Sequence, residues 1–245
     1  MTRSAFLRAN AHRWREEGAW HVAGATLLLV TVTRAGRERT QLVGAGPGAD
    51  LARALEVAAA DGAPPVGSGL LTRRTWQLTG ERVRRHFGFA PGPGWDWMWS
   101  DAVPPVRPGE ERVAPVTGPG AVAEVRECLA RAYPEAMADP EDPALTWWGY
   151  RDDAGVLRGV VAVDAAPGRP VHLSGLGTDA AWRRRGVATA MAAAVTRWAL
   201  GEHPLVHFGI WADNEAARRL YTRLGFTVGH EVENVRRPDA SSLKT

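Results

Sequence analysis

The chain has almost no cysteine and almost no lysine. Cys128 is the single cysteine in 245 residues, so no internal disulfide can form and no cysteine-rich metal site exists. Lys244 is the single lysine among 30 basic residues. That skew toward arginine reads as coding bias in a GC-rich bacterial genome rather than as a nucleic-acid surface, because the basic residues are spread along the chain and the formal net charge is only +3. Long apolar runs are missing too. Residues 23–32 fall well short of the roughly 20 residues that span a bilayer, and no signal-peptide cleavage pattern follows the N-terminus. A cytoplasmic enzyme without membrane contact is the expectation, and a nucleic-acid-binding module is a remote alternative.

With 45% hydrophobic residues the chain can bury one large core or two modest ones. A stretch over 103–120 containing Pro104, Pro105, Pro108, Pro115 and Pro119 is the natural boundary, so we expect an N-terminal α/β domain over 1–105, a second domain over 106–236 and a tail over 237–245. In the second, residues 112–116 open a strand and 121–133 have amphipathic helical spacing. Residues 146–151 and 156–164 flank the turn Asp152-Asp153-Ala154-Gly155 as a hairpin. A strand over 170–177, a helix over 189–200, a strand over 205–211, a helix from Asn214 and a strand from Phe226 complete a mixed α/β order. The first domain reads as strands over 21–33 and 38–44, helices over 49–59 and 77–86, and a strand over 95–100.

The most informative segment is Trp182-Arg183-Arg184-Arg185-Gly186-Val187-Ala188, which joins a strand to a helix. The first turn of a helix leaves N–H groups without intrahelical partners at the positive end of the dipole, so a glycine there lets an anion reach bare backbone. Arg183, Arg184 and Arg185 add charge that opposes the dipole unless an anion compensates it. A phosphate-bearing ligand is therefore expected, although Arg-x-x-Gly-x-Ala alone is a weak pattern. A second segment, Asn214 to Phe226, places Ala217, Leu220, Tyr221 and Leu224 on one helical face, with Asn214 or Asp213 as its cap and Gly225 at its end.

In this order the two segments resemble the GNAT superfamily of acetyl-CoA-dependent acyltransferases. Arg183-x-x-Gly186-x-Ala188 is similar to that family's pyrophosphate loop, and Asn214-x-x-Ala217-x-x-Leu220-Tyr221-x-x-x-Gly225-Phe226 to its second motif. The resemblance covers roughly residues 110–233 and implies the GNAT fold there, with N-acetyl transfer to an amine as the activity. It implies that the backbone of Leu176 and Thr178 pairs with the pantetheine arm of acetyl-CoA and that Gly175 and Gly177 give that arm clearance. The amides of Arg184, Arg185, Gly186, Val187, Ala188 and Thr189 would take the pyrophosphate beside Arg183, and Asn214 would bond pantetheine or nearby backbone. Tyr221 would protonate the leaving thiolate. No metal is implied.

Period-two alternation puts His172 on one face with Ser174 and Leu176, from where it could draw a proton from the acceptor amine; Asp164 and Glu124 are weaker candidates. Each assignment has a packing counterpart. Tyr221 can be a core aromatic, Asn214 only a cap, the arginines a solvated run and His172 an ordinary packed histidine. Short echoes, such as Leu42-Val43-Gly44-Ala45-Gly46 beside Leu173-Ser174-Gly175-Leu176-Gly177, suggest a degenerate GNAT-like repeat in the first half. Chance similarity is the other reading. No arginine run follows Gly46, so the first half is not expected to bind CoA. Trp95, Trp97 and Trp99 alternate along one strand, and with Trp147 and Trp148 they form either an acceptor wall or, preferentially, a seam between halves. An acetyl-CoA-binding regulatory module without turnover stays open as an alternative. The acceptor can be a small amine or a protein amino group, and an oligomer is compatible with the sequence.

Overall fold

A computed structural model of the chain describes residues 4–34 and 37–238. Most of the expected tail lies outside the described residues. The chain forms two compact units, one made of residues 1–97, 210–213 and 228–245, the other of 98–209 and 214–227. The units therefore do not follow a single cut at residue 105, since the last strand of the sequence belongs with the first unit.

In the first unit, α1 (Ala5–Asn10) is capped by Ser4, whose Oγ accepts from the Leu7 amide at 3.2 Å. Strands β1 (Arg15–Val22), β2 (Ala25–Arg34) and β3 (Arg37–Ala45) form an antiparallel meander. Helix α2 (Gly48–Ala60) then leads to β4 (Ser68–Thr72), which lies parallel to β3. Leu51, Ala54, Leu55, Ala58 and Ala59 are the buried stripe of α2, at i, i+3, i+4 spacing, and they join Leu27, Leu42, Leu71 and Phe87 in one core. The helix expected over 77–86 is split into α3 (Thr75–Leu78) and α4 (Glu81–Phe87), because Thr79 is extended and Gly80 caps the second piece.

Strand β5 (Ala90–Ser100) follows, and β11 (Thr227–Arg236) returns from the end of the sequence to pair antiparallel with β4, Val232 opposite Thr72 and Val235 opposite Gly69. Glu233 locks that pairing. Its carboxylate accepts from the amides of Arg74 and Trp76 at 3.1 and 2.6 Å, at a turn where Arg74 has φ +71°. Phe6 of α1 packs edge-on against Trp95 and Trp97 of β5.

In the second unit β6 (Val113–Pro115), β7 (Thr146–Arg151), β8 (Leu157–Asp164) and β9 (Val171–Thr178) run antiparallel in that order, and β10 (Val206–Trp211) lies parallel to β9. The β7–β8 turn forms as expected, with Asp152 Oδ1 accepting from the amides of Ala154 and Val156. Helix α5 (Ala121–Ala132) packs on one face against Trp147, Val160 and Ala162. Helix α6 (Val187–Ala199) covers the other, where Val187, Ala190 and Met191 meet Tyr150 and Leu176. Helix α7 (Glu215–Thr222) contacts α6. The proline-rich segment is tied down in this unit: Arg197 donates to the Pro104 carbonyl at 2.9 Å and Arg107 to that of Arg223 at 3.1 Å. No helix among the described residues is long and apolar enough to cross a membrane.

Candidate active site

The site is built on β9. Its ladder with β8 shifts by one residue, from Val160 opposite Gly177 to Ala162 opposite Ser174, with Gly175 at φ +60° in between. This is a β-bulge, and it re-aims the side chains beyond it. Ser174 and His172 stand opposite Ala162 and Asp164 on the α5 face, whereas Leu176 packs among the α6 residues. The expected sharing of one face by His172, Ser174 and Leu176 is corrected accordingly, since simple alternation fails at a bulge.

On its other edge β9 pairs with β10 at only two rungs, Val171 with Val206 and His172 with His207. Beyond them the strands part. Residues 173–178 thus keep a run of backbone groups on an edge without β10 pairing, the kind of edge along which an extended chain can add as a strand. At the end of that edge the Thr178 hydroxyl is buried without a hydrogen-bond partner. The glycines expected to clear space for a ligand also let neighbouring elements pack closely. A Cβ on Gly177 would lie 2.9 Å from the Tyr133 Cβ, and one on Gly175 3.2 Å from the Ala138 Cβ.

From Thr178 the chain turns into the basic loop. Asp179 accepts from the Ala181 amide at 3.0 Å and pairs with Arg158. Trp182 is flanked by two guanidinium groups, Arg158 at 5.2 Å and Arg185 at 5.0 Å from its ring centroids. Arg183 donates to the carbonyls of Thr178 and Ala132 at 3.3 and 3.2 Å. Two of the three arginines are therefore structural ties that fix the loop, and Trp182, Arg158 and Asp179 are supporting residues that motif spacing gave no means to find. Arg184 sits at φ +61°, a left-handed conformation that costs a non-glycine residue roughly 1–2 kcal/mol.

Gly186 caps α6 with φ +86°, no side chain caps the helix, and a Cβ on Gly186 would meet nothing within 4 Å. Val187 is buried while Ala188 and Thr189 are half-buried, and the Ala190 amide is the one that returns to the Gly186 carbonyl, at 2.9 Å. The amides ahead of it form an open, positive cradle that fits an anion.

Tyr221 of α7 is buried, with its ring 4.1 Å from that of Phe208, the first β10 residue past the paired rungs, and 5.7 Å from Phe226. It is both a core aromatic and a neighbour of the point where the strands part. Burial pushes its hydroxyl above the usual tyrosine value, so it stays protonated at neutral pH and is a weaker acid than in water. Asn214 caps α7, its Oδ1 accepting from the Ala217 amide at 3.0 Å, which leaves its NH2 group as the part able to meet a ligand. The His172 ring lies 5.1 Å from that of the fully buried His207, at the still-paired end of β9. Glu124 is held by Arg151 in an ion pair that keeps its carboxyl below the usual range, which suits it poorly to proton abstraction. Among the described residues no cluster of three or more metal-binding side chains occurs.

Residues 119–226 match the family model described as Acetyltransferase (GNAT) family. That segment is a GNAT acetyltransferase domain, and acyl transfer is the chemistry of its family. A GCN5-related N-acetyltransferase from Kribbella flavida is similar at 22% identity over 96% of this chain and 93% of its own, with a TM-score of 0.57. One from Sphaerobacter thermophilus is similar at 18% identity over 87% and 80%, with a TM-score of 0.53. These likenesses extend the shared fold into the first half of the chain. No curated protein matches.

Proposed function

We propose that the chain is an N-acetyltransferase that carries the acetyl group of acetyl-CoA to a primary amine by direct attack in a ternary complex. The observation that carries this reading is the parting of β9 from β10 after two rungs, on the strand that leads into the uncapped, glycine-led start of α6. Acetyl-CoA, when bound, supplies an acyl group activated as a thioester. The chain's own part is to orient it and to manage protons.

The edge of β9, at Leu176 and Thr178, would bind the amide-bearing arm, with the orphaned Thr178 hydroxyl gaining a partner. The amides of Val187, Ala188 and Thr189 would hold the pyrophosphate, with Arg184 beside them. Arg183 and Arg185 act by fixing the loop, and Asn214 offers its NH2 group. The Tyr221 hydroxyl would hold the proton that a leaving thiolate takes up, and His172 would accept one from the amine. The setting we assign is the cytoplasm.

The test is incubation of the full chain with labelled acetyl-CoA and an extract of amine metabolites, followed by mass spectrometry. Label on an amine is expected. Tight acetyl-CoA binding with no acetylated product from small-molecule or protein acceptors would favour a regulatory CoA-binding module instead.

A further inference from the structure

His207 is a buried titratable group that the acyl-transfer scheme leaves unused. It is fully buried on β10, between Val206 and Phe208, where an apolar side chain would pack without the desolvation that an imidazole undergoes. Its ring lies 5.1 Å from that of His172, its partner at the second of the two β9–β10 rungs. On the other side of His172, Asp164 of β8 stands directly opposite, a relation that sets Cβ atoms about 5 Å apart. Asp164, His172 and His207 thus form a row across three adjacent strands, on the face where Val160 and Ala162 meet α5. The charged groups of α5 are engaged elsewhere, Glu124 with Arg151, Arg126 with Glu141, and Arg131 with Glu127 and Asp179. The remaining titratable group of α5, the buried Cys128 thiol, is neutral because burial pushes its pKa up to about 11.

We propose that Asp164 and His207 are positioning residues for His172, the carboxylate stabilising the imidazolium that forms on proton uptake and the buried imidazole fixing the ring's tautomer and orientation. The inference rests on the acetyltransferase reading, in which His172 is the base. As the acceptor nitrogen bonds to the acetyl carbon, its proton moves to the lone pair of one His172 nitrogen while the other nitrogen keeps its own. The positive charge so formed is balanced by Asp164. His172 is half-buried and open to exchange, whereas His207 is sealed. Burial and a neighbouring imidazolium both disfavour a second cation, so His207 stays neutral. A neutral ring in contact can then decide which His172 nitrogen carries the proton.

Nuclear magnetic resonance of the histidine ring nitrogens in the full chain tests the proposal, with the His172 signals identified by their loss in His172→Gln. Neutral His172 should show a single tautomer. Asp164→Asn should lower its titration midpoint by about one pH unit, the low end for losing an opposite charge at such separations. His207→Phe fills the space without a polar group and should give mixed tautomers, whereas His207→Gln should keep one. With an acceptor found by the labelling experiment, the acid limb of kcat/KM should move to lower pH in Asp164→Asn, in step with the midpoint. The Asn variant keeps the side-chain volume, so it reports even where the Phe variant fails to fold. An unchanged midpoint in Asp164→Asn, a single tautomer in a folded His207→Phe, or an acid limb that stays in place while the midpoint moves overturns the proposal. Failure of acetyl transfer alongside both resonance changes overturns only the enzymatic reading.

Discussion

The chain contains the same strand, helix and parallel strand arrangement twice, as β3–α2–β4 and as β9–α6–β10. Each pair of parallel strands holds together at two rungs, Leu42 with Gly69 and Val43 with Leu70 in the first, Val171 with Val206 and His172 with His207 in the second. What differs is the helix start. Before α2, Gly46 is packed so closely that a Cβ would fall 2.5 Å from the Ala25 Cα. The first turn of α2 also carries its own anion, Asp50, which accepts from the Gly24 amide and pairs with Arg53. Before α6 there is a glycine facing open space and a basic loop. One framework thus closes its anion site with a carboxylate of its own, and the other leaves the site open.

The largest effect should come from closing the second site in the way the first is closed. Gly186→Glu places a side chain where φ is +86° and a negative charge where the pyrophosphate would lie. Acetyl-CoA affinity should fall more than about 100-fold, given charge repulsion of several kcal/mol at such separations. Calorimetry on the unaltered chain should give one site. The matched change in the first unit is Gly48→Glu, whose Cβ would make ordinary contacts with the Leu78 Cδ1 at 3.4 Å and the Thr75 Oγ1 at 3.6 Å and whose charge suits a helix start. It should leave binding intact. Gly46→Glu is no control, because the clash with Ala25 would unfold the unit. Binding that survives Gly186→Glu, or is lost in a folded Gly48→Glu, breaks the contrast between the two helix starts.

Next in size is Tyr221→Phe. The ring packing on Phe208 and Phe226 is kept and only the hydroxyl is lost, so acetyl-CoA affinity should change little while kcat falls about 10- to 1000-fold, the range for losing one proton donor. Burial raises the hydroxyl's pKa, so full proton transfer to a thiol group of pKa near 8.5 is further uphill than the sequence suggested. The fall should therefore lie in the lower part of that range. An unchanged kcat with chemistry rate-limiting would remove Tyr221 from the mechanism.

The motifs made the second unit legible because they punctuate elements strongly. Asn214 and Gly186 each end up at a helix cap, and the Asp152–Gly155 turn forms where expected. The first unit was harder to read for physical reasons. Strand β1 alternates exposed and half-buried residues at a sheet edge, so its hydrophobic signal is faint, and β4 is only Ser68–Thr72. The bulge at Gly175 was hidden because one glycine in a strand does not say which side chains it will flip. That β11 belongs with the first unit depends on Glu233 meeting the amides of Arg74 and Trp76, a contact across the length of the sequence that no local pattern encodes.

The first unit should reveal its packing role through pH. His230 of β11 stacks on Phe6 at 4.6 Å, and burial pushes its pKa down to about 4. The unfolded histidine titrates near 6.5. Between these values only the unfolded chain takes up the proton, so stability is full above pH 6.5 and falls as the pH drops toward 4, by about 1.4 kcal/mol per unit and about 3 kcal/mol in all. Thermal unfolding between pH 4 and 7 should show that slope, and His230→Phe should flatten it. An equal slope in the Phe variant would assign the acid sensitivity to other groups.

The smallest effect sharpens the comparison most. Asp50→Asn removes the carboxylate that occupies the start of α2 but leaves Gly46 pressed against Ala25 and Gly24. If charge alone closed the first site, the neutral variant would gain a second, weak acetyl-CoA site. If close packing also closes it, the stoichiometry stays at one. We expect one, because the Gly24 carbonyl would lie 2.6 Å from a Cβ on Gly46, leaving no room for a phosphate against that backbone, and because the basic loop that flanks Gly186 has no counterpart after Gly46. Calorimetry at high acetyl-CoA concentration distinguishes the two. A second binding event in Asp50→Asn, absent from Asp50→Glu, would show that one carboxylate, rather than the shape of the loop, separates the closed unit from the open one.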